Sequence, residues 1–146
     1  IIKDGGRSIG LLGKEIGAFA ASGGELAAEK AELGKTLETL NAMIGTMVGY
    51  AMESQEDPEK IYKTGLNTTR VLMSVGEIII AWLLLRQAVI ATEKLPTATG
   101  KDKDFYTGKI ASAKYFIRTV LPHLRSELKI IESEDGEIMN LPESAY

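Results

Sequence analysis

The sequence predicts an all-α protein, an up-down-up-down antiparallel bundle of about four long helices, with the last helix kinked near Pro122. Apolar residues recur at helical spacing in four long segments, and no segment alternates apolar and polar residues as a half-buried strand would. Three short turn-forming stretches separate the segments, and short connections favour antiparallel neighbours. The 146 residues, 45% of them hydrophobic and 25% charged, suffice for a single domain over residues 1–146.

The first predicted helix runs from about Asp4 to Ala21, and Ser22 followed by two glycines ends it. The second runs from about Glu25 to Ser54. Each has one apolar stripe with helical spacing, so each should bury one side. The stripes are Ile9, Leu12, Ile16 and Phe19 in the first helix, and Leu26, Leu33, Leu37, Leu40, Ile44, Met47 and Ala51 in the second.

The third helix is predicted from Pro58 to about Leu95, because Asp57 is a suitable N-cap and proline suits the first helical position. Its second half is apolar on nearly all sides, which predicts burial against several neighbours. Glu77 and Arg86 interrupt the apolar run, which therefore falls short of the ~20 residues that a membrane span needs. We expect a buried helix without a membrane span.

The fourth helix is predicted from about Asp102 to Asp135, after the loop at residues 96–100. Pro122 lies inside it, removes one backbone hydrogen bond and clashes with the preceding turn, so a kink near Thr119 is expected. Gly136 should end this helix. Its stripe comprises Tyr106, Ile110, Ala113, Ile117, Val120, Leu124, Leu128 and Ile131.

Four glycines in the first helix could belong to a phosphate-binding loop or to a packing face. Phosphate loops cluster their glycines at a strand-to-helix turn, whereas these have the spacing of one helix face and no strand precedes them. Each interior glycine costs about 1 kcal/mol relative to alanine, so we predict that another backbone packs closely against this face. A partly frayed helix that docks on a missing domain is the alternative. The glycines are Gly6, Gly10, Gly13 and Gly17, with Gly45 and Gly49 or Gly65 and Gly76 as expected counterparts.

The composition argues against several kinds of site. The chain has no cysteine, which excludes disulfides, thiolate metal sites and cysteine nucleophiles. A net charge of −3 gives no electrostatic reason to expect a nucleic acid partner. His123 is the only histidine, and neither a Glu-x-x-His pair nor a nucleophile elbow is present. We therefore predict no catalytic, cofactor-binding or metal-ligating residue, a structural or surface role for His123, and a frayed helix end at residues 132–137.

Two sets of charged residues lie in the third and fourth predicted helices. Glu77 and Arg86 lie in the most apolar helix, on nearly opposed sides, and buried charges are costly unless they are paired. Each is expected to find a partner on another helix or to lie at an interface. Lys114, Arg118 and Arg125 share one face of the fourth predicted helix and could meet a phosphate, but exposure to solvent is the preferred interpretation.

Two stretches resemble a known family. Residues 80–88 contain a W-x-x-x-x-Q pattern that starts at Trp82, and residues 104–116 contain F-Y-x-G-K-x-x-x-A-x-Y-F, followed by a Leu-Pro pair that ends at Pro122. In this order and spacing they resemble the C-terminal helical region of bacterial acyl-CoA dehydrogenases, described as acetyl-CoA-dehydrogenase-like at the C-terminus. Residues 3–10 and 141–143 are also similar, so the resemblance covers nearly the whole chain.

The resemblance implies an oxidoreductase of fatty acid metabolism that removes the α and β hydrogens of an acyl-CoA thioester and passes hydride to FAD. The glutamate base of that branch lies in a Glu-Gly-Thr-Asn-Gly stretch, which this sequence lacks, and neither Glu15 nor Glu77 has that motif around it. The chain is therefore expected to be an inactive C-terminal fragment of a cytoplasmic flavoprotein. Its expected partners are the rest of the same chain and further copies, while FAD and acyl-CoA would bind the full-length enzyme.

Two other interpretations remain open at this stage. The first is a stand-alone helical interaction bundle with no enzymatic activity. The second is an amphipathic protein of lipid surfaces, which the long apolar stripes suggest. The sequence upstream of Ile1 separates the enzyme from the stand-alone bundle, and flotation with liposomes tests the lipid interpretation.

Overall fold

The computed structural model describes residues 5–145, and it confirms the all-α bundle because helices and turns without a strand make up this range. The α-helices are α1 (Arg7–Ala20), α2 (Ala27–Glu53), α3 (Ile61–Lys94), α4 (Gly100–Thr119) and α5 (Leu124–Glu132). Short 3-10 helices lie at Pro58–Lys60, Leu95–Thr97, Leu121–His123, Glu137–Asn140 and Glu143–Ala145. Asp57 caps the first of these as predicted, because its carboxylate accepts the Glu59 N–H at 3.3 Å.

Neighbouring helices run antiparallel, as predicted. Moving along α3 from its N-terminus, the contacts with the last arm of the bundle run backwards along the chain. They are Arg70 with Glu127, Glu77 with His123, and Gln87 with Lys109. Helices α4 and α5 together form that last arm, which runs parallel to α2.

The core lies between α2, α3 and the α4–α5 arm. Its fully buried side chains include Leu33, Met43, Ile78, Leu85, Ile117, Leu121, Leu124 and Ile131. Helix α1 packs on α2 and adds Ile16, which is 2% exposed, with Leu12 and Phe19 half-buried beside it. Only one side chain of α1 is thus fully buried, so α1 is the least anchored of the long helices.

The fourth predicted helix is interrupted rather than merely kinked. Helix α4 ends at Thr119, where the kink was expected, and a 3-10 turn at Leu121–His123 leads into α5. Pro122 cannot donate the backbone hydrogen bond that would continue α4. Leu121 and Leu124 are 1% and 0% exposed, so burial of their side chains holds the turn in place.

The predicted end of the last helix at Asp135 is wrong by three residues. Helix α5 ends at Glu132. The carboxylates of Glu134 and Asp135 accept the backbone N–H groups of Gly136 and Glu137 at 3.0 and 2.9 Å, which stabilises a turn in place of a further helical turn. Gly136, with φ +77°, begins the next segment instead of ending the helix.

The close backbone packing predicted for the glycines of α1 is wrong within this chain. A Cβ atom added at Gly10 or Gly13 would meet no neighbouring element within 4 Å, and the same holds for the expected counterparts on α2 and α3. At Gly17 the nearest atom belongs to the Leu37 side chain, 3.6 Å away. The spacing showed that the glycines share a helix face, but it could not show that this face is open.

The predicted burial of α3 against several neighbours is confirmed, but it involves one side of the helix only. The segment Pro58–Thr97 is long and apolar enough to cross a membrane by length and composition, but only 33% of its most apolar window is buried. A core helix of a soluble protein passes the same test, so this composition is weak support for a membrane span. One side of α3 packs against α2, α4 and α5, and the other side is exposed.

Candidate functional site

His123 and Glu77 form the polar contact that most resembles a functional site. The Pro122 turn places His123 beside the middle of α3, and its Nε2 lies 3.3 Å from Oε2 of Glu77. The other ring nitrogen, Nδ1, donates to the carbonyl oxygen of Val120. The expectation that Glu77 finds a partner on another element is therefore confirmed.

The charge state of Glu77 is set by opposing effects. Burial raises the pKa of its carboxyl above the ordinary 4.5, the nearby His123 lowers this pKa, and the Glu127 carboxylate raises it. Burial is the largest of the three. A carboxyl with a raised pKa next to an imidazole can exchange a proton, which is the chemistry of a general acid or base.

The surroundings of this pair form an open groove and not a closed substrate cavity. An open groove of about 210 Å³ lies beside it, lined by Thr69, Met73 and the residues discussed next. Arg70 is bonded to Glu127 at 2.6 Å, and the Ser74 hydroxyl donates to the carbonyl oxygen of Arg70 at 2.9 Å. The polar groups of the groove thus bind one another and hold α3 to α5.

Lys114, Arg118 and Arg125, the cation row of the last arm, are exposed to solvent, and two of them also pair with acidic residues of α2. Nζ of Lys114 lies 4.0 Å from Oε1 of Glu29, and Arg125 is paired with Glu32. Arg118 donates from Nε to the carbonyl oxygen of Lys114 at 3.2 Å. Exposure to solvent, the preferred interpretation, is confirmed, since the side chains of Lys114 and Arg125 are 39% and 55% exposed and Arg118 is exposed; the two pairs with α2 were not predicted. The acidic pair at spacing three on α2 was the signal that sequence reasoning missed.

Arg86 packs on its own helix, so the first of its two expected arrangements, a partner on another helix, is wrong. Its guanidinium lies 4.9 Å from the centre of the Trp82 ring, and the side chain is exposed. Trp82 is 7% exposed, so this cation covers the outer side of a core residue. A functional role is not needed to explain the charge.

The motif residues behind the family resemblance join α3 to α4. Gln87 Oε1 accepts from Nζ of Lys109 at 2.9 Å, and the same Nζ lies 5.5 Å from the centre of the Phe105 ring. Ala113 is 0% exposed, at the point where α4 meets the core. These positions therefore serve helix packing. Within residues 5–145, no group of three or more His, Asp or Glu side chains could hold a metal ion.

Comparisons with known proteins agree with the resemblance. The profile of the family described as acetyl-CoA dehydrogenase C-terminal like matches residues 12–142. The chain is 41% identical over 150 positions to the broad-specificity linear acyl-CoA dehydrogenase FadE5 of Mycobacterium tuberculosis, an alignment that covers 100% of this chain and 24% of FadE5. It is 27% identical over 135 positions to a butyryl-CoA dehydrogenase of Syntrophomonas wolfei, covering 90% of this chain and 21% of that protein.

A second butyryl-CoA dehydrogenase of Syntrophomonas wolfei is 34% identical over 83 positions, which cover 56% of this chain and 14% of the relative. The chain thus spans about a quarter or less of the length of the curated relatives that it matches. The family profile covers most of the chain and includes both stretches that carry the resemblance. The chain belongs to the acetyl-CoA dehydrogenase C-terminal-like family.

Proposed function

We propose that residues 1–146 form the C-terminal helical domain of a cytoplasmic, FAD-dependent acyl-CoA dehydrogenase, the parent enzyme. The observation that carries the proposal is the 41% identity to FadE5 along the whole of this chain. The parent enzyme would remove the α and β hydrogens of an acyl-CoA thioester. The role of this domain would be to brace the catalytic part and to form contacts in a homo-oligomer.

The site geometry supports a structural role for the domain. The ionisable side chains that link the helices, such as Arg70 with Glu127, pair with one another across helix boundaries. Such pairs fix how the helices sit against one another, since breaking one leaves a partly buried charge without its partner. The Glu77–His123 pair belongs to the same set of links, between the middle of α3 and the Pro122 turn.

The contacts of the described cations support a location of the FAD site outside this domain. A flavin dinucleotide needs cations or free backbone N–H groups for its pyrophosphate. Lys114 and Arg125 face Glu29 and Glu32 of α2, so these cations are already neutralised. The glycines of α1 lie inside a helix, where their N–H groups belong to the helical ladder. FAD and acyl-CoA are therefore assigned to the rest of the parent enzyme.

The experiment is to express the reading frame that includes the codons upstream of Ile1 and to mix the product anaerobically with acyl-CoA substrates of increasing chain length. The proposal predicts a protein with bound flavin whose absorbance bleaches on addition of substrate. A product without flavin, or a flavin that no acyl-CoA bleaches, would contradict it. A start codon directly before Ile1 would favour the stand-alone interaction bundle. The exposed apolar side of α3 also supports that second candidate, since it could bind another protein.

A further inference from the structure

The exposed side of α3 forms an apolar surface that this chain leaves uncovered. We call it the α3 outer face, and its side chains are between 39 and 61% exposed. It consists of Leu66, Leu72, Met73, Ile80, Leu83 and Ile90. From the first to the last of these residues the helix rises about 36 Å. A contiguous apolar surface of this length on a monomer indicates an interaction site.

The outer face carries almost no charge. Residues 66–90, all of which the structure describes, contain three charged side chains: Arg70 is bonded to Glu127, Glu77 lies beside His123, and Arg86 is folded onto the Trp82 ring. Thr69, Gly76 and Gln87 lie on the same face by helical periodicity. Depletion of charge is what distinguishes the centre of a protein interface from ordinary surface.

The outer face continues onto α2 and α1. A small apolar cleft of about 40 Å³ lies between the three helices. It is lined by Val75 and Ile79 of α3, Ile9 and Leu12 of α1, and Asn41 of α2. From Asn41 the exposed, uncharged positions of α2 follow at spacings of four, three and four residues. They are Gly45, Val48 and Met52. A broad, uncharged surface therefore spans three helices, and the open glycines of α1 lie at its edge.

We infer that this surface packs against the catalytic part of the same parent enzyme, an inference that rests on the proposed function. The aligned region is about a quarter of FadE5, so a relative of that length has about three times as much chain elsewhere. Helix α1 is the element that follows any upstream segment. Its residue Ile9 lines the cleft beside Val75 and Ile79. Ile9, near the start of α1, thus lies close to the outer face, so a catalytic part joined upstream of α1 can cover that face without a long connection.

The test uses thiol labelling in the parent enzyme, because this chain has no cysteine of its own. Ile80→Cys places a thiol on the outer face, and Ser112→Cys places a matched thiol at an exposed position of α4. Labelling of each site is followed by peptide mass spectrometry. We expect Ile80→Cys to react at least about tenfold more slowly than Ser112→Cys in the native enzyme, and equally fast in denaturant.

Equal native labelling rates at the two sites would overturn the inference. Protection of Ile80→Cys that is lost on dilution would show instead that a second copy covers the face. Protection that appears only when phosphatidylcholine vesicles are added would show a lipid surface. Flavin bleaching by acyl-CoA, measured on the same preparations, reports on the proposed function alone, so a failure of either idea can be recognised separately.

Discussion

At the Glu77 carboxyl, burial and the His123 imidazole act in opposite directions on the same charge. Burial is the larger effect and raises the pKa of Glu77. The folded chain therefore keeps this proton to a higher pH than the unfolded chain does. The stability that follows from this is fully present below the unfolded pKa and is lost as the pH rises through the folded pKa.

Glu77→Gln should reveal this loss, because glutamine cannot ionise. As the pH rises from below 4.5 towards neutrality, we expect the free energy of unfolding of the unchanged chain to fall relative to that of the variant. Urea denaturation at a series of pH values measures the difference. Glu38→Gln, at an exposed position of α2, controls for the removal of a charge. A difference that grows in favour of the unchanged chain would show that pairing with His123 outweighs burial.

Leu85 and Leu83 lie two positions apart on α3 and differ in burial, with 0% and 43% of each residue exposed. Leu85→Ala should lower the free energy of unfolding by about 2–5 kcal/mol, because it leaves a cavity in the core. Leu83→Ala should lower it by less than about 1 kcal/mol in this chain, since solvent fills the space. Equal losses in chemical denaturation would contradict the assignment of the two sides of α3.

Among the elements, α1 shows how far the sequence could predict the fold. Its stripe of Ile9, Leu12, Ile16 and Phe19 fixed the helix and its buried side, since these are local properties. Whether another backbone covers the glycine face depends on elements far away in the sequence, so spacing could not decide it. The same reason applies to α3, whose uniform apolar composition did not show which side is exposed. The Glu29 and Glu32 partners of the cation row were missed because pairing across helices is not local.

Gly10→Ala should raise the free energy of unfolding by up to about 1 kcal/mol, because alanine favours the helix and its methyl group would meet open space. Gly136→Ala is the opposite control, since φ there is +77° and strains any residue with a Cβ atom. Thermal unfolding of both variants measures the two effects. A destabilised Gly10→Ala chain would mean that a backbone does pack against α1.

Tyr50 ties α2 to α5, because its hydroxyl donates to the carbonyl oxygen of Ile131 at 2.7 Å. Tyr50→Phe should cost about 1–2 kcal/mol, since that acceptor loses its partner at a partly buried position. The loss should appear as faster hydrogen exchange in α5, while the amides of α1 change little. Unchanged exchange throughout α5 would show that packing alone holds this helix.

At the scale of the whole molecule, the core and the cross-helix pairs hold α2, α3 and the α4–α5 arm in one arrangement, and the α3 outer face is left exposed. The positions that carry the family resemblance, including Gln87, Lys109 and Ala113, serve that arrangement. Under the proposed function, this domain supplies shape and the rest of the parent enzyme supplies the chemistry. Within residues 5–145, the Glu77–His123 pair is the contact that most resembles a catalytic acid or base, so it offers the strictest test of a purely structural role.

The most direct test is the turnover number of the parent enzyme that carries Glu77→Gln together with His123→Gln. If this domain supplies shape alone, kcat for acyl-CoA oxidation should stay close to that of the unchanged enzyme. A folded, flavin-loaded variant whose kcat falls about a hundredfold or more, the loss expected on removal of a general acid or base, would contradict the account.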